Sequence, residues 1–177
     1  MLITFVAPTP NCFPYPDTDI VQIRRATSAD IPQIRKLEAQ AATAAHWTQA
    51  QYESLFSPQP PARVVLVATN HPTESPVLGF VVARCLPEQW EIENIVVDVA
   101  ARHRGVASAL TRALLSQARA AGATSMILEV RASNQPALQL YENIGFSLEG
   151  RRKSYYHRPR EDALLFRLPL QSRNKFS

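Results

Sequence analysis

The stretch Glu91-Ile-Glu-Asn-Ile-Val-Val-Asp-Val-Ala-Ala-Arg-His-Arg-Gly-Val-Ala107 decides the fold, together with Met126-Ile-Leu-Glu-Val-Arg131 and Leu140-Tyr-Glu-Asn-Ile-Gly-Phe146 downstream. The run from Trp90 to Val99 is rich in β-branched residues and predicts a strand. A basic turn, Arg102 to Ala107, opens onto a helix over Arg104–Ala121, where Val106, Leu110, Ala113, Leu114 and Ala118 recur on one face and Gly122 supplies a stop. A buried strand over Met126–Arg131 and a short helix over Asn134–Ile144, closed by Gly145, complete the unit. A Gly-containing turn between a strand and a helix start gathers free backbone N–H groups at the positive end of the helix dipole. Arg102 to Ala107 is therefore a candidate cradle for a pyrophosphate. Two rival phosphate motifs fail: no Gly-Lys-Ser/Thr is present, and the single Gly105 is not a dinucleotide fingerprint. Taken alone, the turn reads more readily as a plain strand-to-helix connection.

Outward from this unit, Val21–Arg25 alternates as a short strand. Thr27 or Ser28 then caps a helix carrying Ile31, Ile34, Leu37 and Glu38, and a second short helix is predicted over Thr48–Phe56. Arg63–Ala68 and Val77–Cys85 read as a hairpin with a long loop, and Phe146–Tyr156 with Asp162–Leu170 as a closing antiparallel pair. The simplest architecture is a mixed α/β domain over residues 21–170, a strand-rich sheet with helices on both faces. Residues 1–20 read as a proline-rich extension and 171–177 as a polar tail.

The 177 residues, 46% hydrophobic and 19% charged, are those of one globular domain rather than a disordered chain. The first apolar run, Met1 to Ala7, lacks a basic start and is interrupted by prolines, so it is not read as a signal peptide, and no run approaches membrane-spanning length. Cys12 and Cys85 form no disulfide framework or ligand cluster. No metal is expected, and a cytoplasmic, reducing location is. The formal charge of +4 and a pI near 9.4 suit a polyanionic partner or a phosphate-rich cofactor as well as they suit mere solubility.

Three side chains carry candidate chemistry. Glu129 is a carboxylate inside an aliphatic strand, either a core glutamate satisfied by Arg131 or another basic group, or a general base at the mouth of the sheet. Tyr141 lies on an amphipathic helix, where a core tyrosine with a satisfied hydroxyl competes with a proton donor. Arg151-Arg-Lys153 with Tyr155 and Tyr156 reads as a solvated loop or substrate contact in preference to a nucleic-acid patch.

Asn94-Ile-Val-Val-Asp98, Arg102-His-Arg-Gly-Val-Ala107, Leu128-Glu-Val-Arg-Ala-Ser-Asn134, Leu140-Tyr-Glu-Asn-Ile-Gly-Phe146 and Tyr155-Tyr-His with Arg160-Glu-Asp-Ala163 together resemble the GNAT superfamily of acetyl-CoA-dependent N-acetyltransferases. Within it they are most similar to the RimI-type ribosomal-protein-alanine N-acetyltransferases, over about residues 21 to 170. The resemblance implies a GNAT fold, a mostly antiparallel sheet of six to seven strands flanked by about four helices. It implies that the backbone of Ile95, Val96 and Val97 binds the pantetheine of acetyl-CoA, that Arg102, His103, Arg104, Gly105, Val106, Ala107 and Ser108 hold the pyrophosphate, and that Asn134 contacts the cofactor near its reacting end. Glu129 matches the family's proton acceptor and Tyr141 its proton donor. His46-Trp47-Thr48 resembles a Pro-Trp-Ser/Thr segment beside the peptide groove, with His in place of Pro. Trp47, Tyr155 and Tyr156 are thus the expected substrate contacts. The implied acceptor is a protein N-terminus, foremost the alanine of a small-subunit ribosomal protein, with another N-terminus, a lysine or a small amine as the alternative. A non-catalytic acyl-CoA-binding module needs neither Glu129 nor Tyr141. No membrane or direct nucleic-acid partner is expected.

Overall fold

The computed structural model describes residues 21–41, 47–56, 62–71 and 76–170. The proline-rich extension with Cys12, the polar tail and His46 lie outside them. The elements in chain order are β1 (Gln22–Arg25), α1 (Ile31–Ala39), α2 (Gln49–Ser54), β2 (Arg63–Thr69), β3 (Gly79–Cys85), β4 (Gln89–Val97), α3 (Val106–Ala120), β5 (Ser125–Arg131), α4 (Gln135–Ile144), β6 (Ser147–His157) and β7 (Arg160–Pro169). Single 3-10 turns precede α1 and follow β4. The strands form one seven-stranded sheet in the order β1-β2-β3-β4-β5-β7-β6, antiparallel throughout except for the β4–β5 pair. The expected mixed sheet of six to seven strands with about four helices is what forms.

Two apolar clusters sandwich the sheet. On one face α3 and α4 cover Val64, Leu66, Val81, Ala83, Trp90, Ile92, Met126, Leu128, Val130 and Phe166. On the other, Ile34 and Leu37 of α1 and Tyr52 of α2 cover Val65, Val67, Phe80, Val82 and Val96. Period-2 alternation sends successive side chains to opposite faces, which is why these runs of β-branched residues read as near-continuous apolar stretches. In α3 the buried set is Val106, Leu110, Thr111, Leu114, Leu115 and Ala118; Thr111 fits among aliphatics because its hydroxyl donates to the Ala107 carbonyl at 2.8 Å.

Several predicted boundaries shift for local reasons. The third strand begins at Gly79 rather than Val77. Strand β4 ends at Val97, because Asp98 turns the chain and accepts from the Ala100 N–H at 2.8 Å. Arg104 and Gly105 belong to the turn before α3, and Thr48 and Asn134 are caps rather than helical residues. Arg151 to Lys153 lie within the exposed edge strand β6 instead of a loop.

The feature that shapes the middle of the sheet is a bulge. Val82 faces Asn94 but Ala83 faces Ile92, so Glu93 is an extra residue on β4. One inserted residue reverses the facing of everything after it. Trp90 and Ile92 point to the α3 side, whereas Asn94 and Val96 point to the α1 side and Ile95 and Val97 to the α3 side. Burial alternates unbroken along the strand while the faces exchange.

Candidate active site

β4 and β5 pair in parallel only from Gln89↔Ser125 to Ile92↔Leu128. Beyond that point, past the bulge, the strands part. The edge of Glu93–Val97 that faces β5 therefore has no strand partner among the described residues, while its other edge remains paired with β3. An unpaired strand edge inside a sheet is a row of donors and acceptors ready for an extended ligand. Ile95, Val96 and Val97 lie on this edge.

The chain leaves β4 through Asp98 and reaches the turn at Arg102–Gly105. His103 (φ 60°) and Gly105 (φ 77°) are both left-handed, and α3 starts directly after Gly105 with no side-chain cap. The first helical bond is Ala109 N–H to the Gly105 carbonyl at 2.9 Å. The N–H groups of Val106, Ala107 and Ser108 thus have no helical acceptor and converge at the positive helix end. A Cβ built on Gly105 meets nothing within 4 Å, so the space over the turn is open. Left-handed residues, orphan N–H groups, open space and the cations Arg102 and Arg104 together fit the pyrophosphate of a coenzyme A thioester.

Across the gap stand the residues of β5, α4 and β6. Leu128 and Val130 face α3, so Glu129 faces the opposite side of the sheet, the one Asn94 faces past the bulge. Its carboxylate is not satisfied by Arg131. Instead Arg152 of β6 pairs with Glu129 Oε1 at 3.1 Å. Arg131 pairs with Glu161 at 3.3 Å and lies 3.9 Å above the Tyr156 ring. Glu161 also accepts from the Ser133 N–H at 2.5 Å, tying the chain between β5 and α4 to β7 and holding its own carboxyl below the usual range.

Tyr141, on α4, is 3% exposed and meets Phe146 edge-on at 5.6 Å between centroids. Burial, then the neighbouring Tyr156 phenol, pushes its hydroxyl above the ordinary phenol range. Tyr156 is raised for the same first reason, partly offset by Arg131 and reinforced by Glu129. Tyr155 is exposed, stacked edge-on against Tyr156 at 5.2 Å and 5.4 Å from the Arg152 guanidinium. Asn134 caps α4, its side chain accepting from the Ala137 N–H at 3.3 Å. Trp47 lies on the opposite bank with α2, tilted against Tyr52 at 5.8 Å and lying 5.9 Å from the Arg63 guanidinium.

Sequence reasoning picked out the two ends of this arrangement and missed its struts: Arg152 on Glu129, Arg131 and Glu161 behind Tyr156, and Arg63 and Glu38 behind Trp47. The Arg160-Glu-Asp-Ala163 run was the available signal for Glu161. Helical spacing put Glu38 on the same face as Ile34 and Leu37 without naming its partners, and nothing pointed to Arg63.

Residues 31–146 match the acetyltransferase (GNAT) family model. The chain is 36% identical over 97 residues to the ribosomal protein bS18-alanine N-acetyltransferase of Haemophilus ducreyi, covering 53% of this chain and 67% of that one. It is 33% identical over 165 residues to the N-alpha-acetyltransferase RimI of Mycobacterium tuberculosis, covering 85% of this chain and 94% of that one. The crystal structure of the ribosomal-protein-S18-alanine N-acetyltransferase from Escherichia coli superposes with a TM-score of 0.74 at 25% identity, covering 89% of this chain and all of that one. The open edge of β4, the cradle before α3 and these likenesses agree: the chain belongs to the GNAT family and is an acetyl-CoA-dependent N-acetyltransferase.

Proposed function

We propose that the protein acetylates the N-terminal α-amine of a protein, foremost an N-terminal alanine of a small-subunit ribosomal protein, by direct attack in a ternary complex. The observation that carries the reading is the parting of β4 and β5 after Ile92 and Leu128, which leaves the Ile95–Val97 edge without a strand partner among the described residues, with Glu129 next along β5 after the pairing ends. The names of the relatives from H. ducreyi and M. tuberculosis support the acceptor class. The same reading includes a cytoplasmic enzyme that needs no metal.

The pyrophosphate of acetyl-CoA sits against the turn Arg102–Ser108, its pantetheine lies along Ile95–Val97, and Asn134 adjoins the thioester. Acetyl-CoA supplies an activated acyl carbon. The acceptor nitrogen bonds to that carbon as the C–S bond breaks, and the amine proton passes to Glu129, directly or through one water. An α-amine with a reference pKa near 8 is already about one-tenth neutral at pH 7, so a single carboxylate suffices; a lysine amine is neutral to well under about one part in a hundred. The raised Tyr141 phenol stays protonated throughout the neutral range and donates a hydrogen bond to the departing thiolate. Trp47, Tyr155 and Tyr156 border the acceptor.

The test is a panel of peptides differing at their first residues, with internal lysines and free amines as controls, incubated with acetyl-CoA and read by mass spectrometry. The expected result is acetylation at the α-amine, strongest for N-terminal alanine. Glu129→Gln and Tyr141→Phe are each expected to lower kcat by about 100-fold while the acetyl-CoA Kd stays within about 3-fold. Unchanged turnover in both variants removes these roles. Preferential lysine or small-amine acetylation replaces the acceptor, and acetyl-CoA binding without any turnover favours a binding module.

A further inference from the structure

Glu38 is a carboxylate in the wrong place for a helix–sheet contact. It is 4% exposed, beside Ile34 and Leu37, which already supply the apolar packing of α1. Burying a charged group is costly unless hydrogen bonds replace its water. Here they come from two neutral donors on different elements: Asn94 Nδ2 donates to Oε1 at 2.8 Å, and the Trp47 N–H donates to Oε2 at 3.1 Å. Asn94 is the first residue after the bulge and the neighbour of Ile95, where the unpaired edge of β4 begins. Trp47 leads into the Thr48 cap of α2 on the opposite bank.

A second, independent link joins the same two places. The bulge residue Glu93 holds Arg63 through two contacts, at 2.7 and 3.2 Å, and the Arg63 guanidinium lies 5.9 Å from the Trp47 ring. Both residues at the bulge are therefore wired to Trp47, one through its backbone and one through its ring.

We propose that Glu38 is a positioning residue for acetyl transfer, clamping the acceptor-side segment at Trp47 to the start of the cofactor strand at Asn94. The clamp sets the separation between the incoming amine and the thioester, and it rests on the acetyltransferase reading above. Both oxygens of Glu38 are engaged by N–H donors, so its role is to hold the two elements together. In-line attack tolerates little error, and a displacement of about 1 Å costs on the order of 100-fold in rate.

The experiment compares wild type, Glu38→Leu, Glu38→Gln, Asn94→Asp and the Glu38→Gln/Asn94→Asp pair in peptide α-amine acetylation, with acetyl-CoA affinity measured separately by calorimetry. Leucine fills the volume and removes both bonds. Its kcat is expected to fall and its peptide KM to rise, lowering kcat/KM by about 10- to 100-fold, while acetyl-CoA Kd stays within about 3-fold. Glutamine keeps an acceptor for Trp47 and offers a donor to a flipped Asn94 amide, so Glu38→Gln is expected to retain most of the wild-type rate. Asn94→Asp sets two carboxylates against each other, and adding Glu38→Gln restores a donor–acceptor pair and at least about 10-fold of the loss. That comparison decides the matter should the leucine variant not fold. A leucine variant with wild-type kinetics, a glutamine variant as slow as leucine, or no recovery in the double variant overturns the clamp. A wild-type protein that acetylates no peptide overturns the underlying reading of the acceptor as a protein N-terminus, a result separate from these.

Discussion

At the scale of single residues, the carboxylates differ in what holds them. Asp30 is 5% exposed and accepts two bonds from Arg24, at 2.8 and 2.7 Å, and one from the Thr27 N–H at 2.8 Å. The Arg24 guanidinium is the larger cause that keeps its carboxyl below the usual range, against the opposing effect of burial. A depressed folded-state value means that Asp30 stabilises the fold above its unfolded value near pH 4 and loses that contribution as pH falls through the lower, folded value. Asp30→Asn is expected to cost about 1–3 kcal/mol at neutral pH by urea denaturation, with the difference from wild type shrinking below about pH 4. Glu129 is held differently, by one exposed arginine reached across the intervening strand β7. A cap at Thr27 was legible because it lies beside the helix it starts, three residues from Asp30. The Glu129–Arg152 pair was not, since β6 register, bulged between Leu148 and Gly150 and again between Arg152 and Tyr156, decides which arginine arrives.

At the scale of elements, the contact of β3 with β4 and α3 depends on Gly79. A Cβ there would lie 2.8 Å from the Val96 carbonyl oxygen, 3.2 Å from Val97 Cγ2 and 3.3 Å from Val106 Cγ1. The nearest of these is backbone, which yields only by moving the strand. Gly79→Ala is expected to destabilise the protein by about 1–3 kcal/mol and to displace the Val96–Val97 edge, raising the acetyl-CoA Kd several-fold by calorimetry. Gly105→Ala differs in kind: space is open, and the penalty comes from φ 77°, about 1–2 kcal/mol, read as a lowered Tm. Gly105 could be singled out from its position between a strand and a helix. The need for glycine at 79 arises only once three separate elements meet there.

At the scale of the whole molecule, the two helical layers bury phenols that respond to pH together. Tyr52 is fully buried and Tyr141 nearly so, and burial is the leading cause that raises both hydroxyls. Below the unfolded phenol value near pH 10 this leaves stability unchanged. Above it the unfolded chain ionises while the folded one does not, so stability falls by about 1.4 kcal/mol per pH unit for each phenol. Denaturation midpoints are expected to decline above pH 10, and Tyr52→Phe to make the decline shallower than in wild type. The sequence by itself determined the strands, the helices and the turn before α3, because these depend on periodicity and on residues close along the chain, while Glu129 and Tyr141 became a pair through the family motifs that carry them. Tertiary structure alone decided that the β4–β5 pairing stops at Ile92, that the bulge at Glu93 exchanges the faces of the cofactor strand, and that Glu38 and Arg63 reach Trp47. Those contacts join residues 9 to 56 positions apart across a helix, a hairpin and a sheet, and their geometry follows from how the layers pack. The cradle for the cofactor is local chemistry; the open edge beside it exists only because the sheet comes apart where the bulge makes it.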